Sequence, residues 1–142
     1  MEIVIKIKEG LNDLPFRCSP EPVRVMFGPP EETEELDNQS DGSVESVVWN
    51  YTGKGIIFFF DAANAEPTLT TIESDNIETV LFGKKIFQLN MPDIIALMSA
   101  NGFTDLEEED EAWGEHRVTY DDAQIDFYFA GDELTLVSWS CF

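Results

Sequence analysis

Nucleophilic and metal chemistry have little to draw on in this chain, whose 142 residues include one histidine and two cysteines. A tetrahedral nitrogen–sulfur zinc site needs four ligands at set spacings, and His116 with the distant Cys18 and Cys141 cannot supply them. No serine sits in an elbow motif that would make His116 its base, so the histidine reads as structural or surface-exposed. The two cysteines read as buried, reduced thiols. No apolar run approaches the ~20 residues that cross a bilayer. The opening MEIVIKIKEG alternates apolar and charged residues and has no continuous apolar core of a signal peptide, so a cytoplasmic location is expected. The glycines of GKG at 53–55 lack the strand-to-helix context of a phosphate loop and read as a hairpin turn. No catalytic residue, metal or cofactor is assigned.

Positive charge is scarce as well. Eight Lys and Arg face 29 Asp and Glu, for a formal net charge of −21. A body this negative repels phosphate backbones and anionic lipid, which disfavours nucleic acid and membrane as partners and favours a basic protein. Much of the charge is in two blocks, EETEELD at 31–37 and DLEEEDE at 105–111. Neither has the Asp/Asn ladder with a central glycine of a calcium loop, and both read as solvated acidic loops. With 43% hydrophobic and 12% aromatic residues the chain is globular, a single domain over 1–142 and a monomer by expectation.

The motif YTGKGIIFFF at 51–60 recurs as YDDAQIDFYF at 120–129, and LTTIES at 69–74 aligns with LVSWSC at 136–141. Upstream, FRCS at 16–19 answers FQLN at 87–90, and each is followed by a helical run and then by an acidic block. This order predicts an internal repeat, with halves of approximately 1–77 and 78–142. Each half reads as an extended lead-in, a helix, an acidic loop and three strands. Ser19 is the expected cap of the first helix, with Pro20 at its first position and Gly28-Pro29-Pro30 ending it. Asn90 caps the second helix, and Asn101-Gly102 ends it. Hairpin turns are expected at Gly131-Asp132 and near Asn64. The resulting fold class is α+β, with two pseudo-repeats of helix plus antiparallel strands and the helices packed on one face of the sheet.

Period two separates the faces of the strands. Ile125, Phe127 and Phe129 alternate with Asp126 and Tyr128, and the repeat assigns Ile56, Phe58 and Phe60 to the same buried side. The opposite face then carries Ile57, Phe59, Tyr128 and Leu136, with the small polar Thr70 beside them. Two readings stay open for it: a contact surface, or core covered by the N-terminal strand or a helix. In the first, these four side chains form the desolvated centre of a partner-binding site. Its rim is acidic: Glu31, Glu32, Glu34, Glu35 and Asp37 from one block, and Glu107, Glu108, Glu109, Asp110 and Glu111 from the other.

The order of helix, glycine stop, polar stretch and three antiparallel strands, together with the phrase VRVMFGPPEETEE, resembles the tandem-repeat fold of the β-lactamase inhibitor proteins. It is more distantly similar to the single-repeat outer-membrane lipoproteins of the SmpA/OmlA type. The resemblance implies a non-enzymatic inhibitor whose sheet clamps another protein. The inhibitors of that family are secreted and disulfide-linked, and this chain has no matching cysteine pairs, so β-lactamase inhibition is not carried over.

The leading expectation is an acidic, immunity-type inhibitor that neutralises a basic protein such as a toxin nuclease. Two other classes remain: a small carboxylate-using hydrolase or ligand-binding protein, and an assembly domain that self-associates through its sheet.

Overall fold

Ile56, Phe58 and Phe60 are fully buried and Ile57 and Phe59 half-buried; Ile125 and Phe127 are likewise buried beside half-buried Asp126 and Tyr128. A side-chain period of two puts the members of each set on opposite faces of a pleated strand. The computed structural model of the chain describes residues 1–37, 42–63 and 66–142. Its elements are β1 (Ile3–Lys6), β2 (Gly10–Leu11), β3 (Leu14–Pro15), α1 (Pro20–Phe27), β4 (Glu32–Asp37), β5 (Val44–Tyr51), β6 (Ile56–Asp61) and β7 (Thr68–Ser74). There follow β8 (Thr79–Leu81), β9 (Lys84–Lys85), α2 (Met91–Ala100), β10 (Glu107–Asp110), β11 (His116–Tyr120), β12 (Ile125–Ala130) and β13 (Glu133–Ser140).

Two antiparallel meanders, β4 to β7 and β10 to β13, join where β13 pairs with β7. The result is an eight-stranded sheet in the order β10-β11-β12-β13-β7-β6-β5-β4. A five-stranded sheet, β3-β2-β1-β8-β9, contains the parallel pair β1 and β8. One core cluster joins them: Ile3, Ile5, Leu11 and Leu14 from the small sheet and Trp49, Phe58, Phe127 and Trp139 from the large one, with Val23, Phe27, Ile94 and Met98 from the helices. Burial of each large side chain contributes about 1.5–3 kcal/mol. Trp139, with no exposed surface, also donates its indole N–H to the Gly10 carbonyl at 2.9 Å, a buried bond between the two sheets.

The α+β arrangement expected from the sequence is corrected here. Strand makes up 47% of the described residues, and the helices, of 8 and 10 residues, each bury two side chains without forming a layer on a sheet face. Much of the apolar complement to the large sheet comes instead from the small sheet. Apart from β1, whose alternation the opening MEIVIKIKEG carries, its strands are two or three residues long, too short for a period of two to be read from them.

The internal repeat over 1–77 and 78–142 is not borne out either. Three short strands precede α1 and two precede α2. The equated residues Leu69 and Leu136 face opposite ways: Leu69 is fully buried opposite Phe60, whereas Leu136 lies opposite Tyr128 on the outer face. Bulges at these pairings insert Thr70 into β7 and Thr135 into β13, and an extra residue breaks the alternation on which the alignment relied.

Local expectations divide. Ser19 precedes α1 but makes no side-chain cap bond, and Pro20 opens the helix as expected. Asn90 caps α2 through a reciprocal bond pair with Asp93. Gly131, at φ 63°, turns β12 into β13, and the turn expected near Asn64 lies outside the described residues. Cys18 and Cys141 are free thiols that secure the start of β7: Leu69 N–H donates to the Cys18 carbonyl, and Cys141 N–H donates to that of Thr70. Burial pushes both thiols up, away from the reactive thiolate.

Candidate protein-binding face

The outer face of the eight-stranded sheet is ordered by register. One row crosses every strand: Glu107, Thr119, Asp126, Ser138, Glu73, Ile57, Asn50 and Glu32 stand opposite one another in turn. Beside it, Glu109, Arg117, Tyr128 and Leu136 form a second row, and Thr71, Phe59, Val48 and Glu34 a third. Directly opposed side chains are about 4.5–5.5 Å apart at Cβ, so each row is a line of contacts. Ile57, Phe59, Tyr128 and Leu136 lie on the inner strands, with Asp126 and Glu73 among them, and exposed carboxylates line both edges.

The acidic blocks, expected as loops, are the edge strands β4 and β10. Their residues are exposed from end to end. Charged side chains on an edge strand blunt pairing with a second chain, which accounts for strands with so little apolar content. This placement divides the predicted rim. Glu32 and Glu34 share the outer face, as do Glu107 and Glu109, whereas Glu35 stands with Val47 on the other side and Asp37 ends β4 at a bulge. Glu31 is drawn away, its carboxylate accepting the Gly53 N–H at 2.6 Å. Glu108 and Asp110 lie on the far side of β10 and grip His116, at 3.0 and 2.8 Å. Those two carboxylates hold the imidazole pKa above its ordinary value. Glu111 stays with the face by pairing with Arg117 at 3.0 Å.

The four apolar candidates are all half-buried on this face. Tyr128 is framed by residues the sequence did not single out. Arg117 stands directly opposite it on β11 and pairs with Glu109, and the ring of Trp113, 64% exposed, lies 6.4 Å from that of Tyr128. The Trp113 indole donates to Glu115 at 2.7 Å, which holds the ring beside the sheet. A tryptophan just after an acidic block was the available signal. Among the described residues Arg117 is the one permanent cation on the eight strands, and it is already paired.

Glu73 was also missed, because it is a single acid in a strand of threonine, serine and aliphatic residues. Burial pushes its carboxyl up, a hydrogen bond with Ser138 partly opposes this, and Asp126 raises it further. Beside it opens a cavity of about 250 Å³ lined by Asn50, Thr52, Gly55, Ile56, Ile57, Glu73, Asp75 and Leu136. Asn76 fixes the adjoining turn: it donates to the Lys54 carbonyl at 2.7 Å and accepts from Glu78 N–H at 2.7 Å, beside Asp75. Gly55 is required there. Its φ is 67°, and a Cβ would lie 2.5 Å from the Asp75 carboxylate.

No model of a known protein family matches the chain, and neither does the sequence of any curated protein. One solved structure is similar in fold: an extracellular protein containing an SCP domain from Bacillus anthracis str. Ames, with a TM-score of 0.50 and 12% sequence identity. The likeness covers 96% of this chain and 49% of that one, so the chain spans about half the length of the structure it matches. At this identity the likeness extends to the fold alone.

Proposed function

We propose that the chain is a non-enzymatic binding protein of the inhibitor or immunity type, whose outer sheet face covers the cationic site of a basic protein such as a toxin nuclease. The observation that carries this reading is the order of that face, with Ile57, Phe59, Tyr128 and Leu136 at its centre and Glu32, Glu34, Glu107 and Glu109 along its edges. Half-buried aromatic and aliphatic groups supply the part of an interface that excludes water, and surrounding carboxylates supply complementarity and association rate. The net charge of −21 extends that attraction beyond contact distance. Both rings of charge also oppose edge pairing with a second copy, which favours a monomer over self-assembly.

Affinity capture at low ionic strength, with the wild-type chain and with Phe59→Asp and Tyr128→Asp variants, tests the reading. A basic protein retained by the wild type, released by salt and by both variants, and inhibited in its own activity by the bound chain is the expected result. Partners that are acidic, or that bind both variants as well as the wild type, overturn it.

A further inference from the structure

We propose that the cavity beside Glu73 is a receiving pocket for one basic side chain, lysine or arginine, of the partner; this rests on the reading of the outer face as a binding surface. Three features converge on it. The first is size: at about 250 Å³ the cavity falls below the roughly 300–1,000 Å³ of small-molecule sites and suits a single extended side chain. The second is the pairing of wall chemistries. Ile57 and Leu136 offer aliphatic surface to a methylene stem, and Glu73 and Asp75 offer carboxylates to its charged end. Lysine and arginine have that division of apolar stem and cationic head. The third is the absence of an internal cation. No ion pair among the described residues involves Glu73 or Asp75, and Arg117, the one permanent cation on the eight strands, is held by Glu109 and Glu111.

Loss of hydration already raises the Glu73 carboxyl, and an incoming cation would reverse that. The backbone is prepared as well: Asp75 N–H donates to the Gly55 carbonyl at 2.9 Å, so the wall carrying the second carboxylate is held without the ligand. Pre-organisation of this kind lowers the ordering cost of binding. Asn50, opposite Ile57, adds an amide at the mouth.

The test is a methyl and amide NMR titration of the whole chain with N-acetyl-arginine methylamide, N-acetyl-lysine methylamide and the neutral N-acetyl-citrulline methylamide. Either basic probe is expected to bind weakly, with shifts concentrated at Ile57, Leu136 and Gly55, and the citrulline probe about tenfold more weakly. Glu73→Gln and Asp75→Asn are each expected to weaken the basic probes by about tenfold. Equal shifts with citrulline, or shifts spread along β4 and β10 with none at Ile57 and Leu136, overturn the pocket. The two proposals fail separately. A partner captured through Phe59 and Tyr128 that is indifferent to Glu73→Gln removes the pocket and leaves the binding face standing. Basic probes seated in the cavity of a chain whose face variants change no partner binding do the reverse.

Discussion

Ile57 and Glu73 stand directly opposite each other on β6 and β7, an aliphatic side chain and a half-buried carboxylate on the same outer face. Nothing cationic among the described residues pairs with that carboxylate, so its charge is a cost to the free protein at neutral pH. The folded-state pKa of Glu73 is raised, chiefly by burial. A group shifted in this direction favours folding below its unfolded pKa, and that contribution is lost as pH rises through the folded value.

Glu73→Gln, which removes the charge and keeps a hydrogen-bonding group beside Ser138, is therefore expected to raise the urea midpoint at pH 7. The gain should vanish as the pH falls toward 4, where the wild-type carboxyl is itself protonated. Urea unfolding of both proteins across that range checks this; a variant less stable at pH 7 contradicts it.

A second pH dependence belongs to the β10 edge. His116 is held by Glu108 and Asp110, and its pKa is raised first by the hydrogen bond to Glu108 and then by that to Asp110. The stabilisation is fully present below the unfolded value near 6.5 and is lost as pH rises through the folded value. Hydrogen-exchange protection of the β10 amides should fall as the pH rises from about 6.5 through the raised folded value, and His116→Gln should flatten that change. The site is exposed, so the effect is below ~1 kcal/mol.

The link between the sheets should be much less tolerant. Trp139→Phe removes the indole donor from the buried Gly10 carbonyl and leaves a void, at a cost of about 2–4 kcal/mol. Gly10→Ala should cost more, since its Cβ would lie 1.9 Å from the Leu14 carbonyl oxygen at a φ of 146°. Equilibrium denaturation measures both.

The outer face predicts the opposite pattern. Phe59→Ser and Tyr128→Ser should each cost about 1–2 kcal/mol of stability, because the side chains are only partly buried, while weakening partner binding by about tenfold or more. Reversing Glu32, Glu34 and Glu107 together to lysine should slow association at low salt and remove much of its salt dependence. Stopped-flow association at two ionic strengths separates these effects from loss of fold.

Much of the face was legible in advance because alternation is a local property. Ile57, Phe59 and Tyr128 were placed on the outer face from two short strands, and the structure puts them there. The edges were less legible. A run such as EETEE reads as a loop because it has no apolar member to bury, and it becomes strand only because β5 offers a ladder of backbone partners. Glu31 shows the same limit: it belongs to the acidic block in sequence, yet its carboxylate closes the β5–β6 turn. Trp113 and Glu73 gained their roles from neighbours distant in the chain.

By itself the sequence determined the charge and which side chains of β6 and β12 turn inward, since burial there follows from a period of two that each strand carries within it. Only the tertiary structure decided the strand order, the two bulges that turned Leu69 and Leu136 to opposite faces, and the meeting of Glu73 with Ile57 and Leu136 at one cavity. Those relationships arise from pairing between remote segments, and the free energy of each pairing depends on the burial that the whole assembly achieves.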